Sequence, residues 1–187
     1  LRYLRFTRNS IHGNGELGIQ LATSGPSESA APGSPAPITI NSGQNPPAIQ
    51  SAASGAGGTA VQFSFTGEPG TDQTIEAFAN TACHASGWGE GRTYLGEVVI
   101  TTNASGSYAG SAILPPVPVG TWLTMTASSD GRAGQYETSE FSQCAQVQGG
   151  GPGGAVAVPT LGHAALALLS GLLAGVGALR RRKRGRE

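Results

Sequence analysis

Residues 161–179 form a run of 19 residues without a charge, mostly Leu, Ala, Gly and Val. As a helix rising about 1.5 Å per residue, the run spans about 28 Å, close to the hydrocarbon core of a bilayer. Five consecutive basic residues follow at once: Arg180, Arg181, Arg182, Lys183 and Arg184. Such a cluster stays on the cytoplasmic side of a membrane. The alternatives are a buried helix of a soluble domain and a nucleic-acid-binding tail. An apolar helix ending in five cations suits a globular core poorly, and a phosphate-binding tail does not call for an abutting apolar span. The sequence therefore predicts one transmembrane helix over 161–179, with the preceding residues outside the cytoplasm. Pro159 cannot sit comfortably inside a helix, so the span begins after it. Gly171 and Gly175, with Ala167 before them, place small residues on one helix face, where another helix could approach.

Charge is segregated along the rest of the chain. Residues 9–179 carry two bases, Arg92 and Arg132, against ten acids, a net of −8. An acidic middle repels a phosphate backbone, so nucleic acid is not an expected partner. Glycine (30) and proline (12) are abundant and charged residues are only 12% of the chain, a composition of strands, turns and linkers rather than of a helix-rich enzyme. The chain opens on Leu1, which reads as a piece of a longer protein, so the absence of a signal peptide carries no information.

Val158, Pro159, Thr160 and Leu161 stand immediately before and at the start of the apolar run. This motif, followed by a transmembrane helix and a basic cluster, resembles the bacterial IPTL-type C-terminal sorting signal. Val158 replaces the usual Ile, and Gly162, His163 and Ala164 stand where that family often has a Ser-Glu-Trp run. The resemblance covers residues 158–187. It implies an exported surface protein whose tail is read by membrane sorting and processing machinery, and a temporary anchor lost from the mature protein.

Two low-complexity stretches bracket a central body. Residues 22–44 are a linker rich in Ala, Pro, Ser and Gly, and residues 148–157 are a Gly-rich linker; neither can bury enough apolar surface to offset its ordering entropy. The body, residues 45–147, reads as β. Val61, Phe63 and Phe65 alternate with polar residues, as do Ile75, Ala77 and Ala79. Further strands are expected near 48–53 and over 94–102, 107–114, 122–128 and 139–147. Turn signals at 67–70, 103–106, 115–116 and 130–131 separate them. Seven short antiparallel strands in about 100 residues predict an immunoglobulin-like β-sandwich. The expected core is Val61, Phe63, Phe65, Ile75, Leu95, Val99, Ile113, Leu123 and Met125.

Three runs in the body carry a second resemblance: residues 75–83 (IEAFANTAC), residues 86–91 (SGWGEG) with Tyr94, Leu95 and Gly96 after them, and residues 138–144 (TSEFSQC). Together they resemble the Ig-like module that ends bacterial surface proteins built on a right-handed parallel β-helix. That module brings no catalytic residues. Residues 1–21 agree with it: Asn9 to Asn14, then Gly18 to Leu21, look like the last rung of such a β-helix. Ile11, Ile19 and Leu21 would point inward, with Asn9 and Asn14 at turns. One rung cannot bury its own apolar face, so further rungs are expected upstream.

Residues with chemical potential are few. Gly13, Gly15 and Gly18 match a dinucleotide fingerprint in form, but no helix follows. Residues 87–91 are Gly-rich without the Lys-Ser/Thr of a phosphate cradle; they read as a strand connection, with Trp88 as the one side chain that could face a sugar. His84 adjoins Cys83, yet two cysteines and one nearby histidine do not complete a tetrahedral metal site. Glu76, Glu90, Glu97 and Glu140 could in principle supply an acid/base pair, although scattered acids on a solvated sandwich are the usual case. Asn103-Ala104-Ser105 is a glycosylation sequon in form and reads as a hairpin turn. Cys83 and Cys144 are the only cysteines, and an exported protein meets an oxidising compartment, so one disulfide closing a 61-residue separation is expected, with two buried thiols as the alternative.

The sequence thus predicts an all-β, surface-anchored structural or adhesion module in a bacterial envelope. Its partners would be a membrane, sorting and processing machinery and surface polysaccharide; no cofactor, metal or catalysis is expected in these residues. The competing class is the end of a β-helix polysaccharide-degrading enzyme whose site lies upstream, where Asp, Lys or Arg clustered on one helix face would decide. A third is a plain membrane protein with a permanent single span.

Overall fold

The computed structural model describes residues 4–21, 44–129 and 136–150. Eight strands follow in chain order: β1 (Ala48–Gly55), β2 (Gly58–Thr66), β3 (Asp72–Asn80), β4 (Thr93–Thr101), β5 (Ser107–Leu114), β6 (Trp122–Ser129), β7 (Ala145–Gln146) and β8 (Gln148–Gly149). They form two four-stranded sheets, ordered β5-β2-β1-β8 and β4-β3-β6-β7. Every pairing is antiparallel except the two-residue contact of β1 with β8. The described residues contain no helix, and none long and apolar enough to cross a membrane is found among them. Residues 158–161, the run 161–179 and the basic cluster 180–184 lie outside the described residues.

Alternation builds the core between the sheets. Val61, Phe63 and Phe65 of β2, Ile75 and Ala77 of β3, and Leu123, Met125 and Ala127 of β6 meet there, each at most 2% exposed. Burying a side chain such as Phe63 or Leu123 is worth about 1.5–3 kcal/mol. Two expected core residues point the other way: Val99 is 61% and Ile113 67% exposed. In β4 the inward residues are Val98 and Ile100, and in β5 they are Tyr108, Ala112 and Leu114. A one-residue error of parity moves a strand residue to the opposite face. Leu95 does pack on the core, because the β3–β4 register shifts between Ala77, opposite Gly96, and Phe78, opposite Tyr94. Gly96, at φ +149°, takes the bulge. The bulge turns Leu95 inward and leaves Tyr94 on the outer face beside Phe78.

Two other expectations need correction. The turn at Asn103 is not a hairpin: β4 and β5 belong to different sheets, so it carries the chain from one sheet to the other. Asn103 Oδ1 closes it by accepting from the N–H groups of Ser105 (2.9 Å) and Ser107 (3.0 Å). The strand expected over 139–147 is mostly irregular, with only the two-residue β7 near its end. Its reason lies in two hydroxyls. Ser139 N–H donates to Ala127 O (2.8 Å) and Ser142 N–H to Met125 O (2.8 Å). The return bonds go to side chains: Ala127 N–H donates to Ser139 Oγ and Met125 N–H to Ser142 Oγ, both at 2.9 Å. The segment thus spends three residues where β6 spends two. The surplus throws Glu140 and Phe141 out of a ladder and against residues 4–21.

Candidate functional site

The two central strands of the second sheet, β3 and β6, are buried on both faces, unlike those of an ordinary half-solvated sandwich sheet. On its outer face Thr74, Glu76, Phe78 and Asn80 of β3 and Thr124, Thr126 and Ser128 of β6 are all below 9% exposed. Their cover is residues 4–21, which run along this face within the same compact unit. Ile19 and Leu21 bury themselves against Phe78 and Phe141, with Phe6, Ile11 and Tyr94 at the margin. Phe78 meets Phe141 edge-on at 5.4 Å between centroids and Tyr94 at 5.9 Å, arrangements that add to burial. Gly91 is required by this packing: a Cβ there would lie 2.5 Å from Phe141 and 3.0 Å from Phe78.

The covering segment makes little regular pairing, so its backbone N–H groups need other acceptors. Carboxylates supply them. The Arg8 N–H donates to both Glu76 oxygens at 3.1 Å. The Gly13 and Asn14 N–H groups donate to the two oxygens of Glu90 at 2.8 and 2.9 Å. The Leu21 N–H donates to Glu140 Oε1 at 2.6 Å. Glu97 instead takes the Arg8 guanidinium at 2.9 Å, a surface pair worth little by itself. The four glutamates that the sequence offered as possible acid/base residues are therefore distributed along one face as acceptors for residues 8–21. Thr138 adds a further contact, with its N–H on Leu4 O (3.0 Å) and its Oγ1 receiving the Phe6 N–H (2.9 Å). An isolated antiparallel bridge pairs Ile11 with Gly91 through bonds of 2.7 and 2.8 Å.

Burial sets the electrostatics of this clasp. It pushes the Glu76 carboxyl above its usual range, against the Arg8 N–H, and nearby Glu97 adds to the rise. Glu76 and Glu97 face each other across the β3–β4 register, a like-charge pairing that disfavours ionisation. For Glu90 burial also pushes upward, but hydrogen bonds from the Asn14 and Gly13 N–H groups prevail and hold the carboxyl low. Glu97 is held low by its hydrogen bond from Arg8. Arg8 sits at φ +55°, in the left-handed region that non-glycine residues avoid; both ends of its hydrogen-bonding capacity are tied to the sheet there.

The remaining candidates fall around the same face. Cys83 and Cys144 form a disulfide with Cα atoms 5.9 Å apart. It joins the β3–β4 connection to the segment preceding β7. Beside it Cys144 N–H donates to Gly87 O (3.0 Å), Gly89 N–H donates to Ser142 O (3.1 Å), and Trp88 bridges Gln143. The Gly-rich loop 87–91 is thus a paired connection, with Trp88 half-buried. Within the formal dinucleotide fingerprint, the Gly13 and Asn14 N–H groups are engaged by Glu90 rather than left for a phosphate. His84 Nδ1 lies 2.8 Å from Ser86 Oγ, a local turn contact. Among the described residues no three His, Cys, Asp or Glu side chains gather as a metal site. The docking of residues 4–21 on the sandwich was not read from the sequence. The signal was present in β3 and β6, whose alternate positions carry Phe78 and the small hydroxyl residues Thr74, Thr124, Thr126 and Ser128, with Glu76 as their one charged residue.

No curated protein matches the chain. The family model described as the IPTL-CTERM motif matches residues 156–183, the stretch that contains Val158, Pro159, Thr160, Leu161 and most of the basic cluster. The match points to a C-terminal sorting signal on an exported, envelope-associated surface protein whose partner is membrane sorting machinery.

Proposed function

We propose that this chain is a surface-anchored bacterial envelope protein in which an Ig-like sandwich serves as a structural or adhesion module, held outside the cytoplasm by a tail that is later removed. The observation that carries the reading is the sorting-motif match over residues 156–183. The 19 uncharged residues that follow Thr160 have the length of a bilayer-spanning helix, and residues 180–184 would remain on the cytoplasmic side. Residues 158–161 then lie at the outer membrane–water boundary, within reach of a processing enzyme.

The Ig-like reading is supported by strand order. Lettering β1, β2 and β5 as A, B and E gives one sheet, and β4, β3, β6 and β7 as C′, C, F and G gives the other, with sheet-crossing connections between them. The reading of residues 4–21 as the terminal rung of a β-helix is supported by the burial of Ile19 and Leu21. The body is read as non-catalytic because Glu76, Glu90, Glu97 and Glu140 already serve as acceptors for residues 8–21. Mass spectrometry of the protein recovered from the cell surface tests the anchor: a new C-terminus near residues 158–161 is expected. Recovery of an intact end through Glu187 would reject cleavage and leave a permanent anchor.

A further inference from the structure

The edges of the two sheets are closed off unequally. β7 and β8 are two residues long. β1, where β8 leaves it uncovered, is bulged between Ile49 and Ser51. β4 carries the Gly96 bulge and Glu97, which holds Arg8. Short strands, bulges and charges keep a sheet edge from pairing with another chain. β5 has none of these. It lies at the edge of its sheet and pairs with β2 in unbroken register, from Ser107 opposite Thr66 to Leu114 opposite Thr59. Its eight residues include no charge and no proline.

Hydrogen bonds at the start of β5 fix which way each residue faces. Gly67 N–H donates to Gly106 O (2.8 Å), so Gly106 is turned toward β2. Ser107 is turned away: its O accepts from Asn103 N–H (2.9 Å) and its N–H donates to Asn103 Oδ1 (3.0 Å). Alternation then aims the N–H and C=O groups of Tyr108, Gly110, Ala112 and Leu114 at β2, and those of Ala109, Ser111 and Ile113 outward. Among the described residues, none meets these outward groups. The side chains of the same three residues stand exposed on the outer face. Pro115 follows Leu114 and has no N–H to donate.

We propose that β5 pairs with β5 of a second copy of this chain, antiparallel, about a two-fold axis at Ser111. In that register Ser111 faces Ser111, and Ala109 faces Ile113 of the other copy. All three outward residues then exchange bonds, about six N–H···O bonds in all. The ladder has natural stops, because Ser107 of each copy falls opposite Pro115 of the other. Ser107 has its groups engaged by Asn103, and Pro115 lacks a donor. A shift of register either way sets an outward residue against Ser107 or Pro115. The pairing lays the exposed Ile113 against the small Ala109 on the outer face. A strand without charge also meets itself without like-charge repulsion. This self-complementarity, the mark of a two-fold interface, favours a second copy over a foreign strand. One strand edge buries less than the about 1,200 Å² of a stable interface, so the association is weak and reversible.

Sedimentation velocity of the full chain in density-matched detergent micelles tests the pairing, over about 10 µM to 1 mM protein. The wild type is expected to pass reversibly from monomer to dimer. Ser111→Lys and Ser111→Glu each set like charges face to face across the axis, and each alone is expected to raise the dimer dissociation constant at least about tenfold. An equimolar mixture of the two should regain the wild-type constant within about threefold, because opposite charges then meet. Ser111 is exposed, so circular dichroism of both variants should match the wild type. Ser111→Pro, tolerable on an edge strand whose N–H faces outward, is a further variant and should weaken the dimer as strongly. A wild type that stays monomeric throughout would overturn the pairing, whether the edge is bare or covered by another strand. Dimerisation unchanged by these substitutions would overturn it too, and would place the contact in the tail or on another surface. A mixture no better than either folded variant alone would overturn the two-fold register and leave the edge to a foreign strand.

Discussion

Glu76 is the buried centre of the clasp, and its replacement separates the two things it does. Its carboxylate accepts the Arg8 N–H through both oxygens at 3.1 Å, and it lies opposite Glu97 on β4 and Thr126 on β6. Thr126 Oγ1 is buried without a hydrogen-bond partner. Glu76→Gln keeps an oxygen for the Arg8 N–H, removes the like-charge pairing with Glu97, and adds an amide N–H₂ that can donate toward Thr126 Oγ1. A hydrogen bond to a charged group is worth about 1.5–3 kcal/mol and a neutral one about 0.5–1.5 kcal/mol. The loss is thus about 1 kcal/mol, opposed by relief of burial and repulsion, and the variant should stay within about 1 kcal/mol of the wild type at pH 7. Glu76→Ala leaves the Arg8 N–H without its acceptor and should cost about 1–3 kcal/mol. Because the folded-state pKa of Glu76 is raised, the folded protein binds the proton more tightly than the unfolded chain. The stability of the wild type relative to Glu76→Gln should therefore increase as pH falls through the folded-state pKa. It should level off below the unfolded value of about 4.3. Urea unfolding of residues 1–151, followed by circular dichroism between pH 4 and 8, measures both quantities. A loss above about 3 kcal/mol for Glu76→Gln, or a relative stability that falls with falling pH, would refute the reasoning.

Glu90 and Glu97 have the opposite sign. Their folded-state pKa values are lowered, so their contribution is present above about pH 4.3 and is lost as pH falls through the folded values; Glu90→Gln should flatten that part of the urea midpoint–pH curve. Phe141→Ala removes the aromatic that Phe78, Ile19 and Leu21 pack on and should cost about 3–5 kcal/mol in the same denaturation. Ser139→Ala and Ser142→Ala each leave a buried β6 N–H, of Ala127 or Met125, without its acceptor. Each should cost about 1–3 kcal/mol, whereas Ser111→Ala on the exposed face of β5 should fall within about 0.5 kcal/mol of zero.

The sequence alone determined what depends on local period and on composition. Alternation of Val61, Phe63 and Phe65 and of Ile75, Ala77 and Ala79 places β2 and β3, and Leu123 and Met125 mark the inner face of β6. Two cysteines in a chain with an export-type tail pair because no other partner exists. The sorting motif is contiguous, so residues 156–183 are legible as a string. Only the tertiary structure decided parity in β4 and β5. There Val98 and Val99, or Ala112 and Ile113, are adjacent apolar residues that period two cannot rank, and the Gly96 bulge resets the count. It also decided that residues 139–142 abandon the ladder, since a serine hydroxyl can stand in for a carbonyl only when a particular N–H of β6 faces it. The four glutamates were visible as isolated acids. Their common role was not, because Glu76, Glu90, Glu97 and Glu140 are brought to one face by the tertiary structure, and the groups that Glu76, Glu90 and Glu140 serve are backbone N–H groups, which every residue but proline carries and no sequence pattern marks.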